Sequence, residues 1–464
     1  MDIRYVNRIS VRNTNALYVH VYNNAKEYHG FLKSYKLSIA DAGTKIIMNG
    51  HRLFVFLLDS NFLIASASDL ANRLDLYEDD ILLDLTNINS SNKLMVSQQV
   101  CKKLYKFHKY KTQQHPFQPR KVFFFDANPE NAALLKDAAH QITITNINRD
   151  FQNEPANIIT PSTFCEEVRR LFKGQKHVKI RVFDEHDLLR MGLNMIREMG
   201  KASIHKSRFL VVEYIPPGNH QKTFAVVGKG VCYDSGGLNL KLGNYMDPSM
   251  KTDKTGGTTA VSIVLYAAQA KLKCNIVALV PLIENVISGD VLHPGDIIKT
   301  YNHKTVEITN TNAEGRIIMT DALNYTTNYP KITYLFDMAT LTGQAKTIVP
   351  DVTAVHFTLN KKLSEAIIDV GEKVGERTFG LPVYPEYTKA TFSDVADYKN
   401  YGFKQYNKNS TYMASVYLLN FVPKHLQKNY VHFDIANNFN DNVSNGNATL
   451  LIINVIKNIL QRNK

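Results

Sequence analysis

No stretch of this 464-residue chain approaches the roughly 18 uninterrupted apolar residues that a membrane-spanning helix requires. The opening Met-Asp-Ile-Arg-Tyr-Val-Asn-Arg sets charges where a secretory leader carries its apolar core, so secretion is not expected. Only four cysteines occur, Cys101, Cys165, Cys232 and Cys274, far apart and without a C-x-x-C pair. That argues against a zinc ribbon or a disulfide framework and for a reducing, cytoplasmic setting. G-x-S-x-G, H-E-x-x-H and the phosphate loop G-x-x-x-x-G-K-[ST] are absent, which leaves serine-hydrolase, zincin and P-loop chemistry without support. Repeats and low-complexity tracts are missing too. With 44% apolar and 21% charged residues, the composition is that of a folded globular protein rather than a disordered one.

The length exceeds what one hydrophobic core usually serves and favours about two to three domains. Residues 1 to about 145 alternate short apolar strands with helices, among them Leu53 to Leu58 and Lys121 to Asp126, the latter leading into a helix around Ala132 to Ala139. The polar stretch Asn153-Glu154-Pro155-Ala156-Asn157 interrupts the pattern. Thr160 or Ser162 can then cap a helix carrying Phe164, Val168 and Leu171, with Pro161 in its first turn. The expected division is an N-terminal α/β domain over residues 1–150 and a larger α/β domain over 151–464. In the larger part, apolar strands at Phe209 to Tyr214, Thr223 to Val227, Asn275 to Leu282 and Ile332 to Phe336 alternate with helices, one from about Thr258 to Ala270. Continuous apolar strands between helices predict a central mixed, mostly parallel sheet, with function at the carboxyl ends of its strands.

The net charge of +13 is spread thinly, with one exception. Between residues 102 and 121, Lys102, Lys103, Lys106, Lys109, Lys111, Arg120 and Lys121 occur with no acidic residue, interleaved with Tyr105, Phe107 and Tyr110. This run reads as a solvated face, with a nucleic-acid or other anionic surface as the alternative.

Three segments at strand ends are unusually rich in polar residues: Lys229 to Lys241 with Asp234 inside it, Met250 to Gly257 with Asp253, and Asn310-Thr-Asn312-Ala-Glu314-Gly-Arg316. Lys229 directly follows an apolar strand, where burial favours a neutral amine able to donate a lone pair. Asp234, Asp253 and Glu314, if gathered, would repel one another unless cations lay among them. Hard oxygen ligands with one amine suit zinc, manganese or magnesium. Taken singly, each piece has a plain structural alternative: a tight turn at Asp234-Ser-Gly-Gly, packing glycines at Gly256-Gly257, a polar residue at a strand end.

In this order the segments resemble the leucine aminopeptidases of the cytosol aminopeptidase type. The likeness covers roughly residues 150 to 460. It takes in Glu154-Pro-Ala-Asn157, Thr160 to Phe164, Ser288-Gly289, Pro294 to Ile297, Asp337-Met-Ala-Thr-Leu-Thr-Gly343, Leu381-Pro382, Ser393 to Asp397 and His432-Phe-Asp-Ile-Ala436. The N-terminal region matches weakly. The resemblance implies a metal-dependent exopeptidase that releases N-terminal, preferably leucine-like residues from short peptides, assembled as a homohexamer. One divalent ion would be held by Lys229, Asp234, Asp253 and Glu314, a second by Asp234, Asn312 and Glu314, with a water between them. Zinc and manganese are the expected metals, with magnesium a further option. Lys241 would face the developing oxyanion, Arg316 would hold a bicarbonate ion, and Met250 with Thr340 to Gly343 would line the pocket for the first side chain.

Two departures stand out. The stretch from Lys241 to Asp253, which contains Pro248, is one residue longer than the family pattern, and the family's N-T-D-A-E-G-R here reads N-T-N-A-E-G-R. Asn312 can still offer an amide oxygen, and by the resemblance its backbone carbonyl is also a ligand, but one negative charge is lost from the more exchangeable site, so weaker occupancy rather than abolition is expected. The alternatives are a catalytically impaired relative with a structural or assembly role, and nucleic-acid binding through residues 102–121.

Overall fold

The computed structural model describes all residues except 7–15, 35–36, 38–45, 49–50, 60–61, 113–119, 219, 221, 244–245, 247, 349–352, 403–408, 437–438, 441–442, 447 and 463–464. Part of the basic run and part of the asparagine-rich stretch 437–447 therefore lie outside the described residues. The chain divides into two compact units, residues 1–147 with 371–375, and 148–370 with 376–464. The division falls inside one helix, Ala132–Asn153.

The smaller unit is a six-stranded sheet in the order Asp2–Tyr5, Lys121–Phe125, Ile81–Asp84, Leu17–Tyr22, His51–Leu57, Ile46–Met48. All its pairings are parallel except the last. Leu17, Val19 and Val21 pack with Leu83, Phe124 and the helix residues Leu70, Leu74, Val96 and Val100 in its core. Lys93, buried in helix Ser90–Leu104, reaches Asp126 at 2.5 Å, so an ion pair fastens this helix to the end of a strand.

In the larger unit, a nine-stranded mixed sheet runs Thr378–Pro382, Ala354–Thr358, Tyr430–Asp434, Tyr334–Ala339, Thr223–Gly228, Asn275–Asn285, Arg208–Tyr214, Val178–Phe183, with Gly230–Asp234 added beside Asn275–Asn285. The central pairings are parallel and the flanking ones largely antiparallel. Helices Thr255–Gln269, Glu314–Tyr325 and Thr449–Gln461 are buried along most of their lengths, which is why the strands they cover read as unbroken apolar runs. Thr160 is the residue that caps helix Pro161–Leu171, in a reciprocal box with Thr163.

The sheet has one break that matters for function. Strand Asn275–Asn285 pairs in parallel first with Thr223 to Val227 and then with Gly230 to Asp234, so one stretch of chain runs along it with Lys229 between the two ladders. The Lys229 amide donates to the Met338 carbonyl, and its own carbonyl accepts from the Gly257 amide. The helix beginning at Thr255 meets the strands backbone to backbone here. A Cβ on Gly228 would stand 2.3 Å from the Gly256 oxygen, and one on Gly256 2.1 Å from the Met338 oxygen. Close approach accounts for these glycines, as the packing alternative had it.

Candidate metal centre

Lys229 emerges at the carboxyl end of Thr223–Gly228, and Asp234 ends Gly230–Asp234. Asp253 lies in the short 3-10 helix Pro248–Lys254 that feeds helix Thr255–Gln269, and Glu314 is the first residue of helix Glu314–Tyr325. These elements bring three buried carboxylates together: Asp234, Asp253 and Glu314 offer oxygens that all lie within 4.8 Å of one another. The Glu314 carboxylate also sits at a helix N-terminus, where the backbone dipole favours negative charge.

Lys229 Nζ is the hub of one side of this cluster. It lies 2.6 Å from Glu314 Oε1 and 2.9 Å from Asp253 Oδ2, and donates to the Thr340 carbonyl at 2.8 Å. Gly315 makes room for it, since a Cβ there would come 2.8 Å from the Lys229 stem. The expectation that burial leaves this amine neutral needs correction for the protein groups by themselves. Burial does pull Lys229 down, but the charges of Asp253, Glu314 and Asp234 outweigh it and hold the ammonium form well above its ordinary range.

On the other side, Lys241 Nζ reaches Asp234 Oδ2 at 2.7 Å and donates to Asn312 Oδ1 at 2.5 Å. Burial, with Glu314 and Asp253 adding to it, pushes the Asp234 carboxyl up to about 7. Burial also raises Asp253. For Glu314 the upward pull of burial is overcome by Lys229 and Lys241, which hold it low.

The ends of the hydrogen-bond network test whether these residues fit a cation. Glu314 Oε2 is buried without a hydrogen-bond partner, and Asp253 Oδ2 has its ion pair with Lys229 but no hydrogen bond. Buried carboxylate oxygens left this way are costly unless a cation meets them, and hard oxygen donors are what a divalent ion takes. The donor set fits a divalent metal.

The remaining expected residues are placed less uniformly. Thr340 is next to the cluster: its hydroxyl donates to Asp253 Oδ1 at 2.6 Å. Met250 is half-buried on the same turn as Asp253, and Gly343 is exposed, with open space where a side chain would be. Arg316, buried two residues after Glu314, turns toward another segment: Nη1 donates to the Asn400 carbonyl at 3.0 Å and the guanidinium lies 5.7 Å from the Tyr401 ring.

Sequence reading missed the residues that hold the ligands still. Asn285 donates from one amide nitrogen to Asp234 Oδ1 at 2.8 Å and to the Thr311 carbonyl at 3.0 Å. Thr311 and Asn239 exchange backbone-to-side-chain bonds of 2.8 and 2.9 Å, which register the 310–314 loop against the 234–241 loop. Asp434 accepts from the Leu341 and Ala436 amides and the Thr342 hydroxyl, fixing the turn that follows Thr340. The available signal was modest: a buried strand ending in the polar pair Glu284-Asn285, and a threonine-rich turn after Ala339.

Comparison with known proteins finds clear relatives. A probable cytosol aminopeptidase of Chloroherpeton thalassium is 35% identical over 302 residues, 65% of this chain and 58% of that protein. The chain thus spans less than two thirds of that relative's length. Among solved structures, apo leucyl aminopeptidase from Trypanosoma cruzi superposes with a TM-score of 0.85 at 22% identity, covering 98% of this chain and 96% of its own. A bottromycin maturation enzyme solved with manganese gives 0.81 at 23% identity, covering 99% of both chains. At these identities the structures bear on the fold alone. Residues 146–453 match the catalytic domain of the cytosol aminopeptidase family, and the chain belongs to that family.

Proposed function

We propose that the chain is a metal-dependent aminopeptidase that releases N-terminal, preferably leucine-like residues from short peptides. The observation that carries this reading is the trio of buried carboxylates brought together from a strand end, a short helical turn and a helix start, two of them with an oxygen that lacks a hydrogen-bond partner and Lys229 against two of the three. Asp234, Asp253 and Glu314, with Lys229 once it has given up its proton, would hold a divalent cation, zinc or manganese. Such an ion lowers the pKa of water and polarises a carbonyl. The second ion expected from the resemblance would share Asp234 and Glu314 with Asn312.

The chain's own groups supply the rest. Lys241, with about one seventh of its side chain exposed, is the one lysine of the cluster that a substrate can reach, and its fixed positive charge suits an oxyanion forming in a dry site. Thr340 fastens Asp253 through its hydroxyl and Lys229 through its carbonyl, so the turn Thr340 to Gly343, proposed with Met250 as the wall of the first side-chain pocket, is tied directly to the metal ligands. Arg316 is the buried guanidinium that would hold a bicarbonate.

The test is hydrolysis of leucyl-amide by chelator-treated protein with Mn²⁺ or Zn²⁺ added back. Turnover that returns with metal supports the reading. Folded protein that releases no leucine with any divalent ion contradicts it.

A further inference from the structure

The two sides of the carboxylate cluster are unequal. On the Lys229 side, Glu314 Oε2 is buried with no hydrogen-bond partner, and Asp253 Oδ2 has its ion pair with Lys229 at 2.9 Å but no hydrogen bond. On the Lys241 side the acceptors are engaged. Asp234 Oδ1 accepts from the Asn285 amide at 2.8 Å and from the Gly236 amide at 2.9 Å, and Asp234 Oδ2 is paired with Lys241 at 2.7 Å. The Asn312 amide oxygen, the donor expected to complete a second ion's shell, is taken by the same lysine at 2.5 Å.

Resting on the reading that the cluster binds a divalent cation, we propose that this chain's centre is mononuclear, with the Lys241 ammonium bridging Asp234 and Asn312 as the positive charge that stands in for a second ion.

Charge points the same way as geometry. With Lys229 giving up its proton to serve as a ligand, the cluster holds three carboxylates and the Lys241 ammonium, a formal balance of −2. One divalent ion takes it to 0. A second takes it to +2, and Asn312, being neutral, offsets none of it. At Asp234, which is buried, like charges a few ångströms apart repel more strongly than in water, while the exposed Asn312 side is screened in part. An aspartate at position 312 would remove one unit of that excess and give Lys241 and the second ion a carboxylate to share. The neutral amide instead satisfies the lysine and leaves little for a metal, because an amide oxygen binds a hard cation more weakly than a carboxylate does.

Direct counting of ions tests this. Chelator-treated full-length chain is equilibrated with Mn²⁺, bound metal is measured per chain, and the electron paramagnetic resonance spectrum is recorded, since two ions about 3.5–4 Å apart interact magnetically whereas one gives an isolated six-line signal. The expected result is one tight Mn²⁺ per chain with the isolated signal. Asn312→Asp is expected to bring a second equivalent and a coupled spectrum, its second-site affinity rising by at least the roughly 10–100-fold attached to a supporting group around a metal. Two tight, coupled ions in the unmodified chain overturn the proposal while leaving the metal reading intact. No tight ion at all overturns both. One ion in both proteins overturns the assignment of the difference to Asn312.

Discussion

Lys254 lies one residue past Asp253 with no exposed surface, its ammonium bonded to the main-chain oxygens of Gln152, Glu154 and Lys251 at 3.1, 2.9 and 2.5 Å. Nothing in the sequence distinguishes it from a surface lysine, since its three acceptors are carbonyls and two of them lie about a hundred residues away. It is a buried cation whose work is to hold the turn carrying a metal ligand. Replacing it by methionine keeps the length of the stem and strands three buried carbonyls. Each buried acceptor left unsatisfied costs about 1–3 kcal/mol, partly recovered by relaxation, so Lys254→Met is expected to lose about 2–4 kcal/mol in chemical unfolding. Mn²⁺ affinity is expected to fall with it. A variant as stable as the parent would show that the carbonyls find other partners.

The elements were legible in proportion to how far their apolar pattern described their surroundings. Strands Arg208–Tyr214 and Thr223–Gly228 fall within a residue of the expected spans, because both are buried on two faces and read as unbroken runs. Helix Ala132–Asn153 runs well beyond the span expected around Ala132 to Ala139, because its second half is polar yet buried: Asn148 donates to the hydroxyls of Thr259 and Thr449, and Asn153 to the Ser444 carbonyl. Polar residues inside a helix look like its end until their partners are known. Strand Asn275–Asn285 extends past Leu282 for the same reason, since Glu284 is buried against the Ser203 hydroxyl and Asn285 against Asp234. The ligands themselves could be read because each sits at the junction of an apolar run and a glycine- or polar-rich turn. The hydrogen-bonding residues behind them could not, because their partners are fixed only by the fold.

Strand Ala354–Thr358 carries a titration that should be visible in stability. His356 is buried, bonded through Nδ1 to Thr378 and through Nε2 to Ser364, and burial pushes its pKa down to about 3. In the unfolded chain the ring titrates near 6.5, so below that pH the unfolded state gains a proton that the folded state refuses. The neutral ring's contribution is complete above about pH 6.5 and is lost as pH falls toward 3. At 1.36 kcal/mol per pH unit, the stability difference between the parent and His356→Gln should shrink by about 2–3 kcal/mol from pH 7 to pH 4.5. A difference that stays constant over that range contradicts this account of His356.

At the scale of the whole molecule, the +13 charge includes a run, 102–121, whose cations are partly engaged within the protein. Of the basic run, Lys106 pairs with Asp75 at 2.6 Å and Arg120 donates to the carbonyls of Leu74 and Tyr77 at a helix end. Lys109 in turn lies 5.4 Å from the centre of the Tyr110 ring, so at least three cations of the run have partners within the protein. Among the described residues no helix is long and apolar enough to cross a membrane. Family likeness alone proposes a homohexamer. Light scattering on purified protein should then return a mass six times that of the 52.6 kDa chain, and a mass equal to one chain contradicts it.

The central claim is that Asp234, Asp253 and Glu314 hold a metal. Anomalous diffraction at the manganese edge, from crystals grown with Mn²⁺, tests it most directly. The account predicts a strong peak bounded by Asp234, Asp253, Glu314 and the Lys229 amine. Well-ordered crystals with no anomalous peak at those four side chains would contradict it.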